Sequence, residues 1–300
     1  MNSRNGNILL VFLLALMLVS GVYWYTTRLH TTPGTQSEIV DYSDVAISAS
    51  QASALTNTNT SVPLDDVFSF VEEEPESIPQ VPARVMCGDF PCYAGSEFLD
   101  IYNNFEQSSN VEFLNTYIYQ RDDVDTYLVT KAESRGYQQR GFGDEVDMVV
   151  FENVQTRPEV RDAYVSLRNA MSKDGLRLHF VSGYRSSGVQ RYIVTNKLDP
   201  INLDLVTMGV YDAQIDEVLS RSALPGYSKH HSGYAVDFGC GNDYLVYSFA
   251  DTDCYAWMSN NNFENTKKYG FIPSYPNGVT SQGPDPEPWE FVWVGSENLN

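Results

Sequence analysis

The sequence predicts an α+β fold rather than one built on a parallel sheet. The clearest helix is predicted over residues 158–173, where Pro158 suits the first turn, apolar residues recur at helical spacing and Gly175 follows the end. Short apolar runs typical of strands lie at 176–181, 234–238 and 289–294. These runs do not alternate regularly with helices, as the strands of a parallel sheet would.

Further helices are predicted from the same periodicity. They cover residues 96–135, 187–197, 212–222 and 256–269. The first lies in a segment, residues 86–150, that we expect to form a helical extension. The main domain is expected to occupy residues 151–300.

The N-terminus carries an uncharged apolar run, residues 8–25, with Arg4 before it and Arg28 after it. Such a run rises about 27 Å as a helix, close to the hydrocarbon thickness of a bilayer. We therefore predict a single-pass signal anchor within residues 1–30, which places the rest of the chain outside the cytoplasm. A cleaved signal peptide is the alternative, although residues 19–21 offer only a weak cleavage site.

Residues 31–85 are rich in Ser, Thr, Pro, Asn and acidic side chains. Such a composition buries too little apolar surface to offset the entropy of ordering. The sequence therefore predicts a disordered tether between the anchor and the folded part.

Charge and cysteines narrow the class of protein. The formal net charge of −20 argues against nucleic acid as a partner and against docking on anionic lipid headgroups. The cysteines form two local pairs, Cys87 with Cys92 and Cys240 with Cys254. Because export favours oxidation, we predict a disulfide within each pair.

Three short segments carry candidate chemistry. They are Ser182–Ser186 followed by Gln190, Ser228–Asp237 with its histidine at 230, and Glu287–Glu290. Imidazole and carboxylate groups are good zinc ligands. Each segment alone has a simpler explanation: a helix cap, a structural His–Asp hydrogen bond or a solvated acidic loop.

Taken in order, the three segments resemble the VanY-like D-alanyl-D-alanine carboxypeptidases of the M15 metallopeptidase family, over roughly residues 157–295. The resemblance implies a Hedgehog/DD-peptidase-like small antiparallel sheet with flanking helices, Zn²⁺ as cofactor and peptidoglycan stem peptides as substrate. It also implies a location at the outer face of a bacterial cytoplasmic membrane. The implied roles are zinc ligation by His230 and Asp237, general base for Glu287, oxyanion stabilisation by Arg185, and substrate binding by Ser182, Tyr184, Gln190 and Ser228.

One position departs from the family pattern, because Glu290 stands where the family has a histidine ligand. We expect Glu290 to bind the metal, which gives a His-Asp-Glu set. The alternatives are that His179 or His231 supplies the third ligand, or that the site is damaged and the domain binds stem peptides without cutting them. L,D-carboxypeptidase or endopeptidase activity of the same fold is a further alternative.

Overall fold

An antiparallel sheet organises the part of the chain that the computed structural model describes, residues 84–300. The strands of this region are β1 (Met86–Cys87), β2 (Phe90–Pro91), β3 (Val149–Phe151), β4 (Val154–Thr156), β5 (Leu178–Ser182), β6 (Ala235–Cys240), β7 (Asp243–Tyr244), β8 (Phe271–Pro273) and β9 (Glu290–Trp293). The main sheet has the order β5-β6-β9-β8, with β7 paired to the end of β6. Every pairing in it is antiparallel, as the predicted fold class requires.

Helices flank this sheet and cover its faces. They are α1 (Gly95–Ser108), α2 (Asp122–Ser134), α3 (Pro158–Lys173), α4 (Ser187–Leu198), α5 (Asp212–Leu219) and α6 (Asp253–Lys267). The predicted helix at 158–173 is confirmed with the same bounds, and Pro158 lies in its first turn. The other predicted helices are present with two exceptions. The helices α1 and α2 replace one long helix, and α6 is interrupted at residues 260–263, whose backbone angles are not helical.

The prediction of a continuous helix over 96–135 is wrong for a local reason. The carboxylate of Asp125 accepts hydrogen bonds from the backbone N–H groups of Ile118, Tyr119 and Gln120, at 3.1, 2.8 and 3.1 Å. A side chain that binds three preceding backbone donors stabilises a loop against a helix. The chain therefore leaves the helix after Ser108 and starts a new one at Asp122.

The segment 86–150 shares its core with the rest of the fold. The side chains of Phe98 and Tyr102 on α1 belong to the same buried cluster as Phe238, Phe271 and Phe291 of the main sheet. The predicted boundary between residues 150 and 151 falls inside β3. In this structure the extension is thus packed into the domain, and it contains the β1–β2 hairpin as well as helices.

A second cluster is centred on α2, α4 and α5, with Leu128, Val194 and Ile215 among its fully buried members. The apolar stripes of these helices pack against one another. This cluster supports the turn that carries residues 228–233, because Leu224 and Tyr227 just before it belong to the same group.

The predicted anchor and nearly all of the predicted tether lie outside the described residues. Within residues 84–300, no helix combines the length and the apolar character that crossing a membrane requires.

A buried ion pair links α1 to the loop before β3. Arg140 donates to Glu106 at 3.0 Å, and both side chains are almost fully buried. Glu106 also accepts from the backbone N–H of Gly141 at 3.2 Å. Because removing one member leaves the other charge buried without a partner, the pair is costly to break although it need not be a large net source of stability.

We expect Glu106→Leu to lower the free energy of unfolding by about 3–5 kcal/mol, since it strands the Arg140 guanidinium. Urea unfolding followed by circular dichroism measures the change. The control is Glu217→Gln, which breaks a solvent-exposed pair with Arg221 and should cost less than about 1 kcal/mol. Equal effects of the two changes would contradict this account.

Both predicted disulfides are present, Cys87–Cys92 and Cys240–Cys254. The second bridge joins the end of β6 to the first turn of α6 across a sequence separation of 14 residues. It therefore ties the exposed β7 loop to the core at both ends.

Replacing both Cys240 and Cys254 by Ser should lower stability by about 3 kcal/mol, the chain-entropy value for a loop of about 15 residues. Thermal unfolding with and without a reductant checks this. In the double variant the Cys240–Cys254 bridge is already absent, so the reductant should cause no further loss of stability through this bridge. An unchanged unfolding midpoint would contradict the prediction.

Candidate metal and substrate site

Two carboxylates face each other at the centre of the main sheet. Asp237 of β6 and Glu290 of β9 are direct cross-strand partners, and both side chains are buried. Like charges opposite one another destabilise a sheet unless a cation lies between them. The register of β6 and β9 thus creates a site at which a positive charge would stabilise the sheet.

His230 supplies a nitrogen to the same point. It lies on the short helical turn Lys229–Ser232, which Gly233 ends in a left-handed conformation (φ 78°). Its Nδ1 is 2.7 Å from the carbonyl oxygen of Gly183. A hydrogen bond from Nδ1–H to that carbonyl leaves the Nε2 lone pair free for a metal, the arrangement usual for ligating histidines.

The distances between these three groups match a tetrahedral metal site. His230 Nε2 lies 3.5 Å from Asp237 Oδ2 and 3.3 Å from Glu290 Oε2. Zinc bonds of about 2.0–2.2 Å at tetrahedral angles place neighbouring ligand atoms about 3.3–3.6 Å apart. One potential ligand atom from each residue lies within 4.8 Å of the others.

Asp237 gives an independent sign that a group belongs there. Its Oδ1 is buried and has no hydrogen-bond partner among the described residues. A buried carboxylate oxygen without a partner is costly, and a bound cation removes that cost. The residues present therefore fit a divalent cation that takes nitrogen and oxygen ligands.

The electrostatics of Glu287, Glu290 and His230 differ. Burial raises the pKa of Glu287 to about 8, and the charges of Glu290 and Asp237 add to the effect. Burial also opposes the ionised form of Glu290, but the hydrogen bond from His230 and the charge of Lys229 outweigh it and hold the pKa low. Similarly, burial opposes protonation of His230, yet Asp237 and Glu290 raise its pKa. Without a metal, a proton on His230 neutralises part of the carboxylate charge.

Arg185 is held rigidly beside this cluster. Its guanidinium donates to Gln190 Oε1 at 3.0 Å and to Ser182 Oγ at 3.2 Å, and its backbone N–H donates to the carbonyl of His230 at 3.1 Å. Gln190 is itself fixed, because its amide donates to the carbonyl of Ala223 at 2.5 Å. Within residues 84–300, no carboxylate lies within ion-pair distance of Arg185.

The predicted substrate contacts divide into two groups. Ser228 and Arg185 line a cavity beside the cluster of candidate ligands. Ser182 and Gln190 instead lie behind Arg185 and orient it, and Gln190 is fully buried. Tyr184 is not on the cavity wall either. Its backbone N–H donates to the carbonyl of Gln155, next to Thr156 of β4, at 2.7 Å. The order of the motifs in the sequence predicted that these residues lie near the site, but it did not give the orientation of their side chains.

The two other histidines considered as ligands do not reach the cluster. His231 Nε2 accepts from the backbone N–H of Gly226 at 3.0 Å, so Nδ1–H donates to the carbonyl of Arg185 at 2.6 Å. Burial lowers the pKa of His231 to about 4, which keeps the ring neutral. His179 pairs with Gly239 on the sheet, and its ring lies 5.2 Å from that of Tyr244.

A cavity of about 400 Å³ opens over the cluster of His230, Asp237 and Glu290. Its wall includes residues that sequence patterns did not single out, among them Tyr137, Gln138 and Arg140 from the 86–150 extension and Lys197 and Arg221 from the helical side. In the sequence, nothing marked Arg140, Lys197 and Arg221 except that basic residues are few in so acidic a chain. The extension therefore completes the cavity that the three motifs begin.

Lys229 was also missed, although it neighbours His230 in sequence. Its Nζ is buried and donates to Ser274 Oγ at 2.6 Å, to the Ser274 carbonyl at 3.0 Å and to Gln282 Oε1 at 3.1 Å. It lies 3.7 Å from Glu290 Oε1. Ser274 Oγ in turn donates a short hydrogen bond to the same Oε1.

Comparison with known proteins gives a family match over the part of the chain that contains the three motifs. The family model described as VanY, D-alanyl-D-alanine carboxypeptidase, matches residues 153–296. A putative carboxypeptidase, YodJ of Bacillus subtilis (strain 168), is 31% identical over 146 residues, which are 47% of this chain and 47% of that protein. The chain thus spans about half the length of this curated relative.

Two solved structures are similar over about half of the chain. The LdcB LD-carboxypeptidase is 28% identical with a TM-score of 0.41, over 51% of this chain and 70% of its own. A vancomycin-resistance D,D-pentapeptidase VanY in complex with Zn(II) is 25% identical with a TM-score of 0.37, over 50% of this chain and 79% of its own. On these comparisons, residues 153–296 of the chain are similar to the VanY family of D-alanyl-D-alanine carboxypeptidases.

Proposed function

We propose that this protein is a zinc-dependent carboxypeptidase that removes the terminal D-Ala from peptidoglycan stem peptides. The observation that carries the proposal is the convergence of His230 Nε2, Asp237 and Glu290 at tetrahedral spacing on the floor of the cavity. The match of residues 153–296 to the VanY family model supports the reaction class.

The ligands are His230, Asp237 and Glu290, and Zn²⁺ is the ion that suits one imidazole and two carboxylates at this spacing. A bound Zn²⁺ supplies a Lewis acid that polarises an amide carbonyl and makes water acidic near neutral pH. The backbone carbonyl of Gly183 fixes the ring of His230 for this task.

Glu287 is the general base in the proposed reaction. It lines the cavity next to the ligand cluster but is not among the three converging groups. Its carboxylate takes a proton from the attacking water as the new C–O bond forms, and then delivers it to the leaving amine as the amide C–N bond breaks. Burial beside other carboxylates favours a proton on Glu287, which suits the second half of this role.

Arg185 stabilises the negative charge that develops on the substrate carbonyl oxygen. Its guanidinium is preorganised by Ser182 and Gln190, so no side-chain freedom has to be lost during the reaction. Lys197 at the same cavity wall gives further positive potential for a substrate that ends in a free carboxylate. These cations favour an exopeptidase acting at a C-terminus.

Two alternatives use the same cavity. The relative LdcB is an LD-carboxypeptidase, so cleavage of an L,D bond is the first alternative. A domain that binds stem peptides without cutting them is the second, because Glu290 replaces the expected histidine. We also propose that the domain works outside the cytoplasm, anchored through the N-terminal apolar run; its two disulfides support an oxidising compartment.

The ligand assignment predicts two classes of variant. His230→Ala, Asp237→Ala and Glu290→Ala should each lower zinc content and activity together. Glu287→Gln should keep stoichiometric zinc and lose about 10²–10⁴-fold in turnover, since a general base is not a ligand. Metal analysis of the purified variants, paired with a hydrolysis assay, separates the classes. Full zinc in Glu290→Ala would contradict the assignment.

The substrate assignment predicts one product. Stem pentapeptides ending in D-Ala-D-Ala, incubated with the full chain and zinc, should lose a single alanine residue by mass spectrometry. Glu287→Gln serves as the control for contaminating peptidases. Release of D-Ala only from tetrapeptides would favour the L,D alternative, and metal-dependent binding without release would favour the binding module.

A further inference from the structure

A buried lysine lies directly behind the proposed ligand Glu290. Lys229 Nζ has three oxygen partners from Ser274 and Gln282, and it also lies 3.9 Å from the centre of the Tyr275 ring. Burying an ammonium group is expensive unless a negative charge compensates it. The nearest carboxylate is Glu290, whose Oε1 is 3.7 Å from Nζ.

Ser274 connects the lysine to the ligand. Lys229 Nζ donates to Ser274 Oγ, and Ser274 donates to Glu290 Oε1. Oε1 is thereby occupied, while Oε2 is the oxygen that faces His230 Nε2 at 3.3 Å. The two oxygens of one carboxylate thus have separate partners: Oε1 belongs to the serine and the lysine, and Oε2 to the metal position.

The charge around the metal position explains why a lysine belongs there. Two carboxylate ligands cancel the formal charge of a divalent ion and weaken its pull on the electrons of water. A lysine behind one of the carboxylates adds one positive charge to the ion and its ligands, and so offsets one of the two carboxylate charges. The neighbouring Arg140 does not do this, because Glu106 pairs with it at 3.0 Å. Glu287 is the other carboxylate in the cavity and has no ion-pair partner among the described residues.

We propose that Lys229 is a positioning residue of the metal site, which acts through Ser274 and its own charge to offset the second carboxylate ligand, Glu290. Ser274 holds the carboxylate in the orientation that directs Oε2 at the ion. The positive charge of Lys229 offsets the negative charge of the Glu290 carboxylate. The inference rests on the proposed function, in that it takes the ion to be bound by His230, Asp237 and Glu290.

Charge compensation predicts changes in zinc affinity with opposite signs, measured by competition with a chromophoric chelator. Lys229→Met leaves both carboxylates and removes a positive charge, so zinc should bind roughly tenfold more tightly. Glu290→His leaves Lys229 facing a neutral ligand, so zinc should bind more weakly. The double variant should lie between the two. Ser274→Ala keeps the charge but loses the orientation of Glu290, and should weaken zinc binding.

The pH profile of the zinc-loaded enzyme is the second measurement. Lys229→Met should move the acid limb of kcat/KM to higher pH by about one unit, because the uncompensated carboxylates make water less acidic. Glu290→His should move the limb to lower pH, and the double variant should return towards the wild type. A lysine with a purely structural role would not shift this limb in opposite directions in the two single variants.

The chain offers a matched control in Lys267, which is also fully buried. Its Nζ donates to the carbonyl of Pro91 at 2.8 Å and to Asn262 Oδ1 at 3.2 Å, and it is not part of the cavity wall. Lys267→Met should lower the melting temperature and leave zinc affinity and the acid limb unchanged. If Lys229→Met does not fold, Lys229→Gln keeps a hydrogen-bond donor and should give the same changes in zinc affinity and acid limb.

The outcomes distinguish the two proposals. Weaker zinc binding in Lys229→Met, parallel to that in Ser274→Ala, would overturn the charge role of Lys229 and leave the zinc site intact. A wild-type protein that binds no zinc would overturn the proposed function, and this inference with it. Tighter zinc binding in Lys229→Met, with the opposite change in Glu290→His, supports both.

Discussion

The repulsion between Asp237 and Glu290 is the constraint on which the site depends. The β6–β9 register places these carboxylates opposite one another in the interior of the sheet. Neither can move to solvent without breaking the ladder, and neither has a neutralising partner on its own strand. The fold therefore has to bring positive charge to them, and it does so from the turn at Lys229–Ser232, which carries both His230 and Lys229.

That turn depends on contacts from every side. His231 is hydrogen-bonded to Gly226 and to Arg185, and its ring stacks on Phe142 at 4.2 Å between ring centres. Phe142 belongs to the 86–150 extension, outside the segment that matches the family model. The extension is thus part of the support of the metal site as well as of the cavity wall, which explains why it shares the core of the main domain.

Sequence patterns predicted the elements with strong periodicity and the motif residues that form the cluster. They failed where a single side chain decided the local fold, as with Asp125 and the loop that interrupts the predicted long helix. They also could not give side-chain direction, so Gln190 was expected to touch substrate although it holds Arg185. Lys229 carried no signal as a sequence neighbour of His230, because only the fold brings Ser274 and Glu290 to it.

Most polar atoms around the three candidate ligands are paired within the protein. Gln190, Ser182, Ser274 and His231 have their polar atoms engaged with protein groups. Asp237 Oδ1 has no partner among the described residues, and Asp237 Oδ2 and Glu290 Oε2 share the single nitrogen His230 Nε2 at 3.5 and 3.3 Å. Since buried polar atoms are normally paired, such a set of acceptors facing one point is unstable alone and stable around a cation. The same scaffold that leaves them unpaired has fixed everything around them, so the ion meets a preorganised site.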